Sequence, residues 1–263
     1  VLHISDASSP EIRLEDSDAT STFNQIAFQN AAGSFNLNTR QDNGTFVSTD
    51  YQIIKNASGA NIHKWFIGNS EKLRLDASGR LGIGTTAPLA KLHVRGTSST
   101  DARLLIEADR DAAGGEAKLQ FKTDSQDLDT RIKAAIIFKR DDPGTRGTGN
   151  LHFAVEGNNS DTNASTSHTK LMIQSDGNVG IGNTNPSQKL SVAPDTDVSA
   201  ELGKAHVGHM GHNDYAGFSH VDSNATTGYA LLQGATGNTY LNSESGSPIR
   251  FRIANQDKMH LHS

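Results

Sequence analysis

The sequence contains no cysteine, so no disulfide holds it together and its stability must come from packing and hydrogen bonding. It is also short of side chains to pack. Hydrophobic residues make up 34% of the 263 positions and aromatics 6%, where compact domains carry about 45–50% apolar residues on a slightly broader count. No run of about 18 apolar residues exists, which argues against membrane insertion as a helix. Positive charge is not in excess: the formal net charge is −5 and the pI is near 6.1. Without clustered Lys and Arg, nucleic acid is an unlikely class of partner. No signal peptide is visible, and the first residue is Val.

What the chain does have is 25 glycines and abundant Asn, Asp, Ser and Thr. One such chain buries too little apolar surface to offset its conformational entropy. Either it is disordered or it shares a core with other copies of itself. Disorder fits poorly, because short apolar alternations recur about every 8–12 residues between turn-forming clusters, as in many short strands.

An internal repeat is the strongest signal. Residues 72–94 align without a gap on residues 170–192, 98 positions later, with 11 of 23 identical. In each copy two apolar residues alternate with polar ones (Leu73 and Leu75; Leu171 and Ile173), as on a half-buried strand. A turn follows at Ser78-Gly79 or Asp176-Gly177, where glycine supplies the positive φ. Then Leu81 and Ile83, or Val179 and Ile181, alternate with glycine, and Pro88 or Pro186 ends the strand. A strand with only glycine on one face allows another backbone to approach. Gly82, Ile83, Gly84, Gly180, Ile181 and Gly182 are therefore expected to pack closely on an axis shared by several chains.

Fragments of the block recur at both ends. Leu2-His3-Ile4 resembles Leu92-His93-Val94, and residues 258–263 resemble 72–77. The chain is thus expected to be cut from a longer repetitive protein. The predicted division is 1–9, the end of a preceding block; 10–71, a β module; 72–95, a neck block; 96–169, a second module; 170–193, a second neck; 194–257, a third module; and 258–263, the start of a further block. Predicted strands lie near 12–14, 26–28, 35–37, 51–54, 65–67, 104–106, 119–121, 132–138 and 151–155. Segments 157–168 and 42–50 are expected to be exposed loops.

The block, G-[NR]-[LV]-G-I-G-x-T-x-P-x-x-K-L-x-V, resembles one that recurs in bacteriophage tail fibres and related virion spikes. Residues 204–208, 214–216, 229–233, 239–242 and 251–253 are similar to a segment common in fibres of marine and cyanobacterial phages. The resemblance implies a parallel homotrimer, a shaft built for reach, and host-surface attachment. The expected fold is all-β: an elongated repetitive fibre of short-stranded modules, intertwined as a parallel homotrimer. The expected partners are the chain itself, other tail or baseplate proteins, and a host surface glycan or protein receptor. The expected location is the virion tail, after assembly in the host cytoplasm. A bacterial cell-surface adhesin or stalk, and a glycan-cleaving tailspike, are the alternatives.

Motifs that carry chemistry are sparse, and no enzymatic activity is expected. Residues 82–87 fit G-x-G-x-x-A, but Pro88 and the strand at Leu92 leave no room for the helix that a dinucleotide site needs. His260 and His262 form an H-x-H pair that would share one strand face. Three such pairs on a trimer axis would offer six imidazoles to iron or another transition metal, as in known phage fibre tips. His206, His209, His212 and His220 have no zinc-ligand spacing and read as polar surface. Glu15, Asp16 and Asp18, like Asp124, Asp127 and Asp129, read as solvated turns rather than paired catalytic carboxylates. Phe28, Phe35, Phe46, Trp65 and Phe66 read as module core in preference to sugar-stacking platforms.

Overall fold

A computed structural model of the chain describes residues 4–5, 9–16, 25–55, 61–96, 101–108, 112–123, 130–142, 147–158 and 160–262. The fold is all-β, with two single-turn 3-10 segments and no α-helix among these residues. Backbone contacts divide the chain into two units, Val1–Leu105 and Ile106–Ser263.

The first unit is one eight-stranded sheet: β1 (Glu11–Glu15), β2 (Gln25–Ala31), β3 (Ser34–Arg40), β4 (Phe46–Lys55), β5 (Asn61–Ile67), β6 (Ser70–Leu75), β7 (Leu81–Ile83) and β8 (Leu92–Val94). Sequence neighbours are sheet neighbours throughout. The first seven strands run antiparallel, and β8 returns parallel to β7. Tight turns make the meander possible. Gly68 and Asn69, both at positive φ, join β5 to β6 in the two-residue geometry whose twist matches antiparallel strands.

The second unit holds three sheets. The first contains β9 (Glu116–Phe121), β10 (Ala134–Arg140), β11 (Gly149–Val155), β12 (Thr169–Ile173), β13 (Val179–Ile181) and β14 (Leu190–Val192). The second contains β15 (Ser199–Leu202), β16 (Ala205–Gly208), β17 (Tyr215–His220), β18 (Leu231–Gly234) and β19 (Thr239–Leu241). The last is a hairpin of β20 (Ile249–Ile253) and β21 (Gln256–Leu261). No strand forms at 104–106, where Leu104, Leu105 and Ile106 are exposed.

The two copies of the repeated block fold alike. Leu81 N donates to Lys91 O at 2.8 Å and Gly84 N to Lys72 O at 2.9 Å; Val179 N donates to Lys189 O at 3.0 Å and Gly182 N to Lys170 O at 2.9 Å. Parallel neighbours normally need a crossover of a dozen or more residues. Here eight residues suffice, because the connection coils against the strand's glycine face with Pro88 or Pro186 buried inside it. The block is not a separate neck: β6–β8 and β12–β14 complete the sheet of the module before them.

The likeness extends further than the sequence repeat. Trp65 pairs with Leu73 and with Tyr51, as Phe153 pairs with Leu171 and with Ile136. Strands β3–β8 therefore match β9–β14 in order and register, including three strands per sheet that lack recognisable sequence identity.

Residues 157–158 and 160–168 form the expected loop, exposed at 157, 158, 161, 162 and 167, but the loop is anchored rather than free. It folds back over the inner face of the second unit's first sheet, where Ala135, Ile137, Ala154 and Ala164 form a small core. Lys133 Nζ gathers the segment: it donates to Glu156, to Ser160 O at 2.7 Å and to Asn158 O at 3.2 Å. The Glu156 carboxyl is fully enclosed, and the hydrogen bond from Lys133 holds its pKa below the ordinary glutamate value. A lowered carboxylate pKa stabilises the fold above the unfolded value, and that contribution disappears as pH falls through the folded value. The protection of the Ala164 amide, which donates to Ile132 O at 2.6 Å, measured against its intrinsic exchange rate at each pH, should therefore fall below about pH 4.5. Lys133→Met should lower that protection already at neutral pH. Segment 42–50 also differs from expectation, since residues 46–50 belong to β4.

Candidate functional site

Among the described residues each sheet is apolar on its more exposed side. In the first unit, one row of cross-strand neighbours runs Ile12, Phe28, Leu37, Tyr51, Trp65, Leu73, Ile83 and Val94. A second row, displaced by two residues, runs Phe35, Ile53, His63, Leu75, Leu81 and Leu92. Both rows lie on one face, because successive side chains alternate and residues two apart share a side. Trp65 is 42% exposed, Phe28 39%, Ile83 39% and Leu92 51%.

The opposite face of this sheet is polar and the more enclosed of the two. Asn38 is 1% exposed, and its amide donates to Gln29 Oε1 at 3.0 Å and accepts from Thr49 Oγ1 at 3.0 Å. Gln52 donates to Asn36 Oδ1 at 2.9 Å, and Arg40 pairs with Glu11 at 2.6 Å. These cross-strand bonds pair Asn36, Asn38, Thr49 and Gln52 within the sheet, while Gln25 Oε1 and one guanidinium nitrogen of Arg40, Nε, are buried without a partner.

The other sheets follow the same plan. Leu119, Ile136, Phe153, Leu171, Ile181 and Val192 form one row. Val207, Phe218, Leu231 and Leu241 form another. In the terminal hairpin Ile249 faces Leu261 and Phe251 faces Met259. Among the described residues 35 large apolar side chains are exposed, whereas eight apolar residues are buried, four of them alanine. The chain exposes 17,970 Å².

The residues expected to pack on an axis divide into two groups. The four glycines serve contacts inside the chain. A Cβ on Gly82 would lie 2.8 Å from Thr85 O, and one on Gly180 would overlap Asn183 O. Gly84 and Gly182 sit at positive φ, and a Cβ on Gly84 would overlap Arg95 O. The glycine face is thus closed by the chain's own connection, not by another backbone. Ile83 and Ile181 point the other way, into the open apolar rows.

The H-x-H pair sits on the terminal hairpin. His260 is opposite Arg250, on the face away from Ile249, Phe251, Met259 and Leu261. Its counterpart in the first block, Arg74, is likewise on the polar side, bonded to Glu71. The two imidazole centroids are 4.4 Å apart, with Arg250 paired to Asp257 at 2.8 Å close by. If the apolar side meets other chains, His260 faces outward beside a guanidinium. A strong chelator should then leave the melting temperature unchanged, and a fall of several degrees would restore the metal reading.

Met210 and Leu232 form a small core on the inner side of the β15–β19 sheet, with Met210 seated on Gly217. His206 is 7% exposed there, and its ring bonds His209 O at 3.0 Å and Asn224 at 3.2 Å. His209 borders a cleft of about 570 Å³ with Asp195, Asp197 and Tyr215. Among the described residues no three His, Asp or Glu side chains converge as metal ligands would. Asp18, Asp124, Asp127 and Asp129 lie outside the described residues. Of the aromatics, Phe28, Phe35 and Trp65 belong to the open rows. Among the described residues no helix is long and apolar enough to cross a membrane.

No family model matches the chain. It is similar to "Uncharacterized protein VP1" of Micromonas pusilla reovirus (isolate Netherlands/2005), with 40% identity over 118 residues. That match covers 41% of this chain and spans 6% of the length of the relative.

Proposed function

We propose that this chain is a structural segment of a virion fibre, in which three parallel copies bury their apolar sheet faces against one another. It has no catalytic role in this reading. The observation that carries it is the inverted sheet: cross-strand bonded polar residues on the more enclosed face, apolar rows on the more exposed one. Large contiguous apolar surface marks an interaction site. Similarity to a viral protein supports a virion component. That relative is a reovirus protein, so the bacteriophage-tail part of the reading rests on the repeated block and its resemblance to fibres. Attachment to a host glycan or protein would use the polar surfaces, with weak contacts multiplied by the number of chains.

The test is the mass in solution. Light scattering should return three chains of 28.0 kDa each, with a hydrodynamic radius larger than that of a sphere of the same mass. A stable monomer would overturn the proposal.

A further inference from the structure

We infer that His63 is a proton-sensitive element of the face through which copies of this chain associate. The inference rests on the proposed self-association and adds a condition under which it weakens.

His63 stands inside the second apolar row of the first unit. Its cross-strand partners are Ile53 on β4 and Leu75 on β6. Trp65 follows it two residues later on the same face, with the rings stacked 6.4 Å apart. The Tyr51 hydroxyl lies 2.5 Å from its Nδ1. Beyond these, Phe35 and Leu81 continue the row on either side. The groups facing the imidazole are thus Ile53, Tyr51 and Lys55 from β4, Leu73 and Leu75 from β6, and Asn61 and Trp65 from its own strand. Lys55 is the one formal charge among them, and it has the same sign as imidazolium. No carboxylate on these strands faces the ring to stabilise its charged form.

The second copy of the architecture shows what the position ordinarily holds. Leu75 and Ile173 occupy the same place in the two blocks, and the residue across from Ile173 is Leu151. His63 therefore stands where the equivalent sheet carries leucine. The rows of that sheet, from Leu119 to Val192 and from Phe138 to Leu190, contain no ionisable side chain. A histidine in this one place is not required by the fold.

A neutral imidazole fits an apolar contact, with Tyr51 satisfying Nδ1. A protonated one does not, because covering it with apolar side chains strips its hydration and supplies no counter-charge. The open face of a separated chain imposes no such penalty. Protons therefore favour separation. Association is strongest at alkaline pH and weakens with acid, by up to about tenfold per pH unit for each chain.

The experiment compares wild type with His63→Leu and His63→Gln by light scattering on dilution and by melting, at pH 8 and pH 5.5. The expected result is that wild type is assembled at pH 8 but loses mass or melts several degrees lower at pH 5.5, while both variants respond much less. Leucine tests the residue that the equivalent position already uses, and glutamine keeps polarity without a titrating group. If all three respond equally to acid, or none does, while remaining assembled at pH 8, His63 is not the sensor and the fibre reading survives. If wild type is a monomer at pH 8, both fall together.

Discussion

Replacing Ile83 and Ile181 together by aspartate should convert an assembly of three chains into single chains of 28.0 kDa. In an isolated chain these side chains are 39% and 43% exposed, and each is the next-to-last member of an apolar row, before Val94 or Val192. Aspartate there would cost a solitary sheet about 1–2 kcal/mol per site, from lost partial burial and poorer strand propensity. Within an assembly the same carboxylates would be buried without counter-ions. Each costs several kcal/mol and every copy supplies two of them. The signature is a loss of mass with strand content retained by circular dichroism. A variant that keeps the mass of three chains would show that copies meet elsewhere.

The second large effect is expected at Gly180. Its missing side chain leaves room for the carbonyl of Asn183, which the added Cβ of alanine would overlap. Backbone cannot give way as a flexible side chain does, so Gly180→Ala should cost about 3 kcal/mol, the upper end of overpacking penalties. The cost should persist in the monomeric double-aspartate background, because the contact lies within one chain. Gly157→Ala is the matched control: nothing lies within 4 Å of its added Cβ, and it should change stability by less than about 0.5 kcal/mol. If Gly180→Ala is harmless in the separated chain but blocks assembly, the glycine face belongs to the contact between copies after all.

Much of the fold could be read in the sequence, because strands announce themselves by alternation. Ile26 and Phe28, or Leu73 and Leu75, mark a side every second residue, and Gly68-Asn69 marks its turn directly. The repeat at 72–94 and 170–192 likewise becomes one local structure formed twice. What the alternation of Leu81-Gly82-Ile83-Gly84 does not reveal is which side is closed. Glycine invites any neighbour, and the neighbour proves to be the chain's own connection around Pro88. Nor does it reveal the parallel return of β8, which depends on that same coil.

Three other misses share a cause in non-local pairing. Segment 157–168 reads as a free loop because its polarity is local information, whereas Lys133, which gathers it, lies more than 20 positions upstream. Residues 104–106 have the composition of a strand but find no partner. His63 is unremarkable in sequence. Its place among apolar side chains emerges only when Ile53 and Leu75 are aligned beside it, and its kinship to Leu151 only when strands outside the repeated block prove to share a register.

The inverted sheets also govern how such a chain comes into being. A domain that hides its oily side chains by folding can do so alone, at any dilution, as fast as its own topology allows. If copies cover one another's apolar rows as proposed, the last step of concealment needs other molecules, and its rate depends on how many freshly made copies are nearby. Until they meet, every finished sheet is a sticky intermediate, equally able to find a correct neighbour or a wrong one. Yield at low expression should therefore be limited by encounter, and at high expression by clumping. Synthesis of several copies along one messenger, which keeps nascent chains close to one another, would favour the productive outcome.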